Sequence, residues 1–434
     1  MNKIGYGILL FIPLFFCSSS SATAQERLTL EDCLGSALKA NFDILIGKNN
    51  VEMVQNNVTA APFLPIVTAN ARTSQTINNS NTYNTSGDKT GSNSNLSNYS
   101  AAANVNWTLF DGLKMFATRS QQEVLFADGK LAFRNKVENL TQDICSQYYY
   151  IISLQNQKSL LEQLVETSII RYNQALLRYN IGKDSGLECK QAKIDLNSDS
   201  SRLLLQSEKL MNAYIELYRM INVPLNSQYN ISDTILLDGS IVLNDLQERT
   251  LLNNTSILRS RAGEKISALD LKIARSAHYP NLSVGAGYNY AYNQSPLYSS
   301  RYNDVNGFNW GLTLSVPIFN GMETSRRIKN ARLEQENAKL TVAQTEQSVI
   351  AFMLQQYNTY LNNIQLTAFE SESKQVAAIN LEAAMAKYKI GSISGIQYRD
   401  IQISYLNAAD RQLTAQYQAK LSEIQLQLLA GALR

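Results

Sequence analysis

Two runs of 69 residues constrain this chain more than anything else in it: 113–181, between Gly112 and Gly182, and 322–390, between Gly321 and Gly391. Neither contains a proline, and Gly129 is the only glycine inside either. Both are rich in Leu, Ala, Gln, Glu and Lys, which favour helix because they lose little side-chain freedom there. At about 1.5 Å per residue, each run makes a rod roughly 100 Å long. Helices of compact domains average about 11 residues. A globule has no use for two such rods, whereas a tube or a stalk does. The second run also carries Ile350, Leu354, Tyr357, Leu361, Ile364 and Ala368. Steps of four and three place these as one seam at coiled-coil spacing.

Gly112 to Gly321 and Gly182 to Gly391 share one offset, 209 residues. The match extends outward. Leu109-Phe110-Asp111-Gly112 answers Ile318-Phe319-Asn320-Gly321, and Arg178-Tyr179-Asn180-Ile181-Gly182 answers Lys387-Tyr388-Lys389-Ile390-Gly391. Self-similarity at a fixed distance marks an internal tandem repeat. The first repeat, 25–224, opens with a helix from Leu30 to about Ala60. Thr29 caps it, Asp32 reciprocates, and Pro62 lies beyond its end. Strands follow at 66–76 and 100–110, separated by a long polar loop at 77–98 with nothing to bury. The long helix 113–181, a tight turn and a helix over 187–222 complete it. A linker covers 225–243. The second repeat, 244–434, gives a helix at 245–277, strands at 281–293 and 307–318, a long helix at 322–390 and a helix at 396–429. In each repeat the two shorter helices, stacked end to end, can pair with the long one.

The strands decide the environment. Ala101, Ala103, Val105, Trp107 and Leu109 share one face, with Asn104, Asn106 and Thr108 opposite. Leu282, Val284, Ala286, Tyr288, Tyr290 and Tyr292 oppose Ser283, Gly285, Gly287 and Asn289; Phe308, Trp310, Leu312 and Leu314 oppose Asn309, Gly311 and Thr313. An aromatic, apolar side and a small polar side fit a barrel with lipid outside and water inside. Four strands cannot close a barrel, and lipid does not tolerate open sheet edges. Several copies are therefore required; two would give eight strands, and three would give twelve with room for a channel.

Composition agrees with a folded chain: 44% apolar and 17% charged. The net charge of +3 is dispersed, so there is no electrostatic footprint for nucleic acid. After residue 17 no apolar run is long enough for a membrane-spanning helix. Residues 1–24 read as a secretory signal: Lys3, the apolar Ile8 to Cys17, then Ala22-Thr23-Ala24 as a cleavage site. Lipidation of Cys17 is the alternative, disfavoured by Phe16 before it. Cys33, Cys145 and Cys189 are odd in number and widely spaced. They are expected to be small apolar helix residues, without a disulfide or metal role. His278, the only histidine, stands without convergent ligands. No phosphate loop or catalytic constellation appears, so neither enzymatic activity nor a cofactor is expected.

The chain resembles the outer-membrane efflux proteins, the TolC-like ducts, over nearly all of 25–434. The most specific parts are the two strand-to-helix corners quoted above and the two helical tips, RYNIGKDSGLECKQAKIDL at 178–196 and KYKIGSISGIQYRDIQISYLNA at 387–408. The resemblance implies a mainly α protein with a small β part. Long antiparallel helical hairpins would form an α-barrel tunnel through the periplasm, and four strands per chain would build a trimeric twelve-stranded transmembrane β-barrel. It implies a homotrimer in the outer membrane that docks tip first onto a periplasmic adaptor (membrane fusion) protein and an inner-membrane pump. Such a duct conducts cargo passively in tripartite efflux or type I secretion. The competing function is a trimeric coiled-coil surface or adhesive protein with a barrel anchor. Against it, the chain visits the strands twice, midway through each half.

The same resemblance places function at the tips, Gly182, Lys183, Asp184, Ser185 and Gly186 in one repeat and Gly391, Ser392, Ile393, Ser394 and Gly395 in the other, as adaptor contacts. It makes Asp400 a candidate for an acidic ring closing the tunnel, with Gln397 where some relatives have a second acid. Glu188 and Tyr388 match positions that link neighbouring helices near the closed end. Arg399, beside Asp400, would neutralise it.

Overall fold

Leu30–Ala40 (α1) and Phe42–Asn56 (α2) take the place of the single helix expected before residue 60. Asn41 makes the break. Its backbone is extended, with φ −64° and ψ 131°, and its side-chain oxygen accepts from the amides of Asp43 and Ile44. The second repeat is interrupted in the same way: Leu243–Asn253 (α3) and Thr255–Ser276 (α4) flank Asn254, at φ −61° and ψ 123°, which caps Ser256 and Ile257. Both asparagines also reach outward. Asn41 Nδ2 donates to the Met220 carbonyl at 2.8 Å, and Asn254 Nδ2 to the Leu429 carbonyl at 3.3 Å. Each break is thus tied to the end of its repeat's last helix. The computed structural model describes residues 27–183, 186–239, 241–294 and 302–432. The expected signal segment, Cys17, Asp184 and Ser185 lie outside the described residues.

Asparagine at a cap is worth about 1 kcal/mol over alanine. Asn41→Ala and Asn254→Ala are each expected to lower stability by about 1–2 kcal/mol, because the tie to the carbonyl is lost as well. Asn→Ser, which keeps the cap and loses the tie, should fall between, as thermal unfolding in detergent would show.

The long rods form as expected, as Lys114–Asn180 (α5) and Glu323–Lys389 (α6), each 67 residues. The returning helices are Leu187–Ile221 (α7) and Gly395–Leu429 (α8). Helix α7 and the α1–α2 pair share the length of α5. Helix α8 and the α3–α4 pair share the length of α6, and α5 packs against α4 and α8 to join the halves. The main core lies where α1, α5, α7 and the connecting segment meet, around Ile144, Tyr148, Ile151, Leu217, Ile221 and Ile231. Tyr148 donates to Asp233 at 2.7 Å there, tying the connecting segment to the rod. Cys33 and Cys145 are buried in this region, where desolvation raises their thiols to about 12 and about 11. Both are inert core residues. On α6, the buried face runs through Met353, Tyr357, Tyr360 and Ile364. Leu354 and Leu361 of the expected seam are exposed on this chain, so the seam serves two surfaces rather than one.

The sheet has four antiparallel strands in the order β1-β2-β3-β4. Two strands are far longer than expected: Ile66–Tyr83 (β1) and Lys89–Phe110 (β2) pair continuously, so most of the polar segment 77–98 is a β-ribbon, not a loop. A five-residue turn closes it. Asn84 Oδ1 accepts from Ser86 and Asp88 amides, and Gly87 supplies φ 86°. The expectation failed because both faces are polar; a backbone ladder satisfied strand to strand needs no apolar face in water. Beyond the last β2–β3 pair, Ser97 with Gln294, the ribbon continues for eight further pairs, roughly 25 Å. The other strands are Asn281–Gln294 (β3) and Tyr302–Ser315 (β4). Strand β4 begins earlier than expected and stops before Pro317, which cannot donate to a ladder.

The register puts the apolar residues on one side. Val105 faces Ala286, which faces Trp310; Tyr288 faces Phe308; Val284 faces Leu312. Asn104, Gly287 and Asn309 line the other side. A bulge at Leu109 bends the base of β2. Below it, two successive left-handed residues turn strand into rod: Gly112 and Leu113 at φ 69° and 67°, Gly321 and Met322 at φ 67° and 66°.

Candidate functional site

Each tip begins with the same helix stop. The amide of Gly182 donates to the Tyr179 carbonyl and that of Lys183 to Arg178; the amide of Gly391 donates to Tyr388 and that of Ser392 to Lys387. This is the paired C-terminal bonding that requires a left-handed residue, and both glycines supply it at φ 73° and 79°. Gly395 is needed for closeness instead, since a Cβ there would lie 2.5 Å from Glu188 Oε1. Ser394 caps α8, with Gln397 as its reciprocal partner at 3.0 Å. Gln397 therefore holds the helix start.

Three helices converge on Tyr388. Its hydroxyl donates to Glu188 Oε1 at 2.9 Å, across from α6 to α7. Arg178 donates to the Tyr388 carbonyl at 3.0 Å, lies 4.0 Å from Glu188 Oε1, and sits 5.1 Å over the Tyr388 ring. Tyr398 of α8 stacks on the same ring at 5.2 Å and 19°. Tyr388 and Tyr398 are fully buried. Burial, then the bond to Glu188, pushes the Tyr388 hydroxyl up to about 12, so it stays a donor at any physiological pH.

Arg399 does not neutralise Asp400. It reaches the other way, into a buried cluster, where both its terminal nitrogens meet Asp199 of α7 at 2.7 Å. Asp199 is fully buried and also accepts from Ser168 at 2.6 Å. Arg399 further donates to Gln402, whose amide donates to Thr167. Burial would lower the Arg399 pKa, but the bonds to Asp199 outweigh it and the net shift is upward. A second pair, Arg171 to Asp195 at 2.6 Å, lies nearby on α5 and α7. Arg399 and Gln402 thus weld α8 to the α5–α7 hairpin, and Arg171–Asp195 holds the hairpin itself. Asp400, the next residue, points its side chain into solvent. His278 sits in the turn before β3, far along the chain from the tips.

The cluster of Arg399, Asp199, Ser168 and Gln402, and the pair Arg171–Asp195, escaped the sequence reading. One signal was available. At the 209-residue offset, Asp199 answers Ala408 and Asp195 answers Ser404. Acids that break the repeat on a helix face mark a contact that only one repeat makes.

The family model described as outer membrane efflux protein matches residues 33–223 and 246–432, both repeats in turn. The chain belongs to this family. Outer membrane protein TolC of Vibrio cholerae serotype O1 is 22% identical over 304 residues, covering 68% of each chain. The probable outer membrane lipoprotein SilC of Salmonella typhimurium is 23% identical over 408 residues, 91% of this chain and 83% of that one. The crystal structure of the Campylobacter jejuni CmeC outer membrane channel superposes with a TM-score of 0.76 at 17% identity, over 93% of this chain and 85% of that one. As an outer membrane efflux protein, the chain is placed in the outer membrane with its β-sheet in lipid, which gives the aromatic face of β1–β4 its partner. No described helix is long and apolar enough to cross a membrane.

Proposed function

We propose that three copies of this chain close into a passive exit duct, with a twelve-stranded barrel above and an α-helical tunnel below. The observation that carries this is the pair of open sheet edges: among the described residues β1 and β4 each have only one neighbour, and lipid does not tolerate unpaired strand edges. The helices support the same closure. Leu204, Met211 and Ile215 form an exposed apolar stripe on α7, and Leu354 and Leu361 one on α6. Among the described residues α7 packs along its length against α5 and, near its end, α1, and it meets α6 and α8 near the tip, through Glu188 and Asp199. Joining the α7 flank of one copy to the α6 flank of the next, and β1 to β4, is a head-to-tail contact that closes a ring. Leu361→Glu is expected to leave the single chain folded and to abolish the trimer in cross-linking and sedimentation.

The Tyr388–Glu188–Arg178 link closes the inner end in this reading, and Asp400 contributes one carboxylate per copy to a ring beside it. The exposed tips, Lys183, Gly391 and Ser392 among them, receive a periplasmic adaptor protein, and an inner-membrane pump drives transport. Reconstituted in planar bilayers, the protein is expected to conduct weakly. Glu188→Gln with Tyr388→Phe should raise the conductance several-fold. Asp400→Ala should weaken block by a multivalent cation by about tenfold, a little over 1 kcal/mol. Unchanged block would remove Asp400 from the conduction path.

A further inference from the structure

The polar side of the sheet is built from carboxamides and bare backbone. Asn104 and Asn309 lean over Gly287, where an added Cβ would lie 2.5 Å from Asn104 Oδ1 and 3.3 Å from Asn309 Oδ1. Asn289 donates to Asn309 at 3.0 Å on the same side. Arg72 breaks this neutral lining. It pairs with Ser100, and the rung continues through Ala291 to Val305. Ser100 and Asn104 stand an even number of residues apart on β2 with no register shift between them, so Arg72 shares the Asn104 side. The residue is exposed. Among the described residues of the four paired strands it is the one charged group on that side. The acid at this level, Asp304, pairs with Tyr292 and belongs to the aromatic side. Tyr99 and Tyr292, one rung further out than Arg72, form part of that aromatic side, at the depth where a bilayer interface takes tyrosine.

We propose that Arg72 is a charge filter at the outer mouth, three copies forming a cationic ring that favours anionic over cationic cargo. This deepens the duct reading above and rests on its trimeric barrel. Twelve strands about 4.8 Å apart and tilted by about 40° enclose roughly 24 Å between backbones. The guanidinium groups stand inside that wall, about 10 Å or less from the axis. The Debye length is about 10 Å at 0.1 M salt, so the field of the ring spans the passage, and no carboxylate on the described lining cancels it.

The test reads the mouth without involving the tips. Ala291 lies two strand spacings from Arg72, about 10 Å. A thiol placed there by Ala291→Cys is labelled in the assembled protein in lipid vesicles. Cys189→Ser removes the half-buried native thiol, while Cys33 and Cys145 are buried. The probes are two methanethiosulfonates of similar size, one carrying a sulfonate and one a trimethylammonium group. Both are expected to react. In Arg72→Gln the ratio of anionic to cationic rate should fall about fourfold at 0.01 M salt, since one charge at about 10 Å in water is worth about twofold on each reagent. Using the ratio cancels any change in the thiol itself. The difference should vanish at 1 M salt, and Arg72→Lys should keep the wild-type ratio. Val105→Cys, on the aromatic side, should be shielded by lipid. A reactive thiol at position 291 whose ratio ignores Arg72→Gln overturns the filter and leaves the barrel standing. A thiol there that is inert to both reagents, or no more reactive than the one at position 105, overturns the barrel reading and the filter with it.

Discussion

Arg399→Ala is expected to destabilise the periplasmic end by about 3–5 kcal/mol, the cost of stranding one member of a buried ion pair. The residue left behind is Asp199, which has no exposed surface and would keep only the Ser168 hydroxyl. Gln402 would lose its acceptor role at the same time, loosening its bond to Thr167. Arg399→Lys should rescue little, because one ammonium cannot reproduce two parallel bonds at 2.7 Å. The pair Arg399→Met with Asp199→Leu should recover most of the loss, since nothing charged then remains buried. Thermal unfolding with limited proteolysis of the tips measures all three. A single-variant loss below about 1 kcal/mol would mean that the weld between α8 and the α5–α7 hairpin lies elsewhere.

Gly112→Ala and Gly321→Ala should differ sharply although the two residues occupy equivalent corners. Both have φ near 68°, and a side chain there costs about 1–2 kcal/mol. At Gly321 that is the whole effect, because an added Cβ meets nothing within 4 Å. At Gly112 the same atom would lie 2.5 Å from the Ser276 carbonyl oxygen and 2.8 Å from Tyr279 Cβ. Backbone on both sides must move, which adds a further 1–3 kcal/mol of overpacking. The expected outcome is near-normal outer-membrane yield for Gly321→Ala and strongly reduced yield and melting temperature for Gly112→Ala. Equal losses would show that Ser276, at the end of α4, yields freely.

The repeat, the rods and the alternating strands were legible because each rests on a periodic pattern. The 69-residue runs without proline and the Trp107 and Trp310 faces carry their periods in plain view. The ribbon over 77–98 was not, since Asn, Ser and Thr on both faces leave no contrast to read. The helix breaks at Asn41 and Asn254 hid for another reason: asparagine within a helical stretch is only mildly unfavourable, and its capping role depends on where Met220 and Leu429 end up. At the tips the glycines follow from the helix stops, whereas Glu188 and Tyr388 were named only through the family resemblance. The partner of Arg399 could not be read, because sequence adjacency suggested Asp400 while the helix turned its side chain toward a residue 200 positions away.

In the proposed trimer the polar ribbon is the part that faces the cell exterior. One face of it carries Asn79, Asn81, Asn93 and Asn95, and the other Ser80, Thr82, Ser92 and Ser94. An antibody or a phage tail fibre arriving from the medium would touch carboxamides before it met any bilayer. A short epitope spliced into the bend at Thr85-Ser86-Gly87 would be displayed there, one for each copy, with every rung that holds the pore wall left undisturbed.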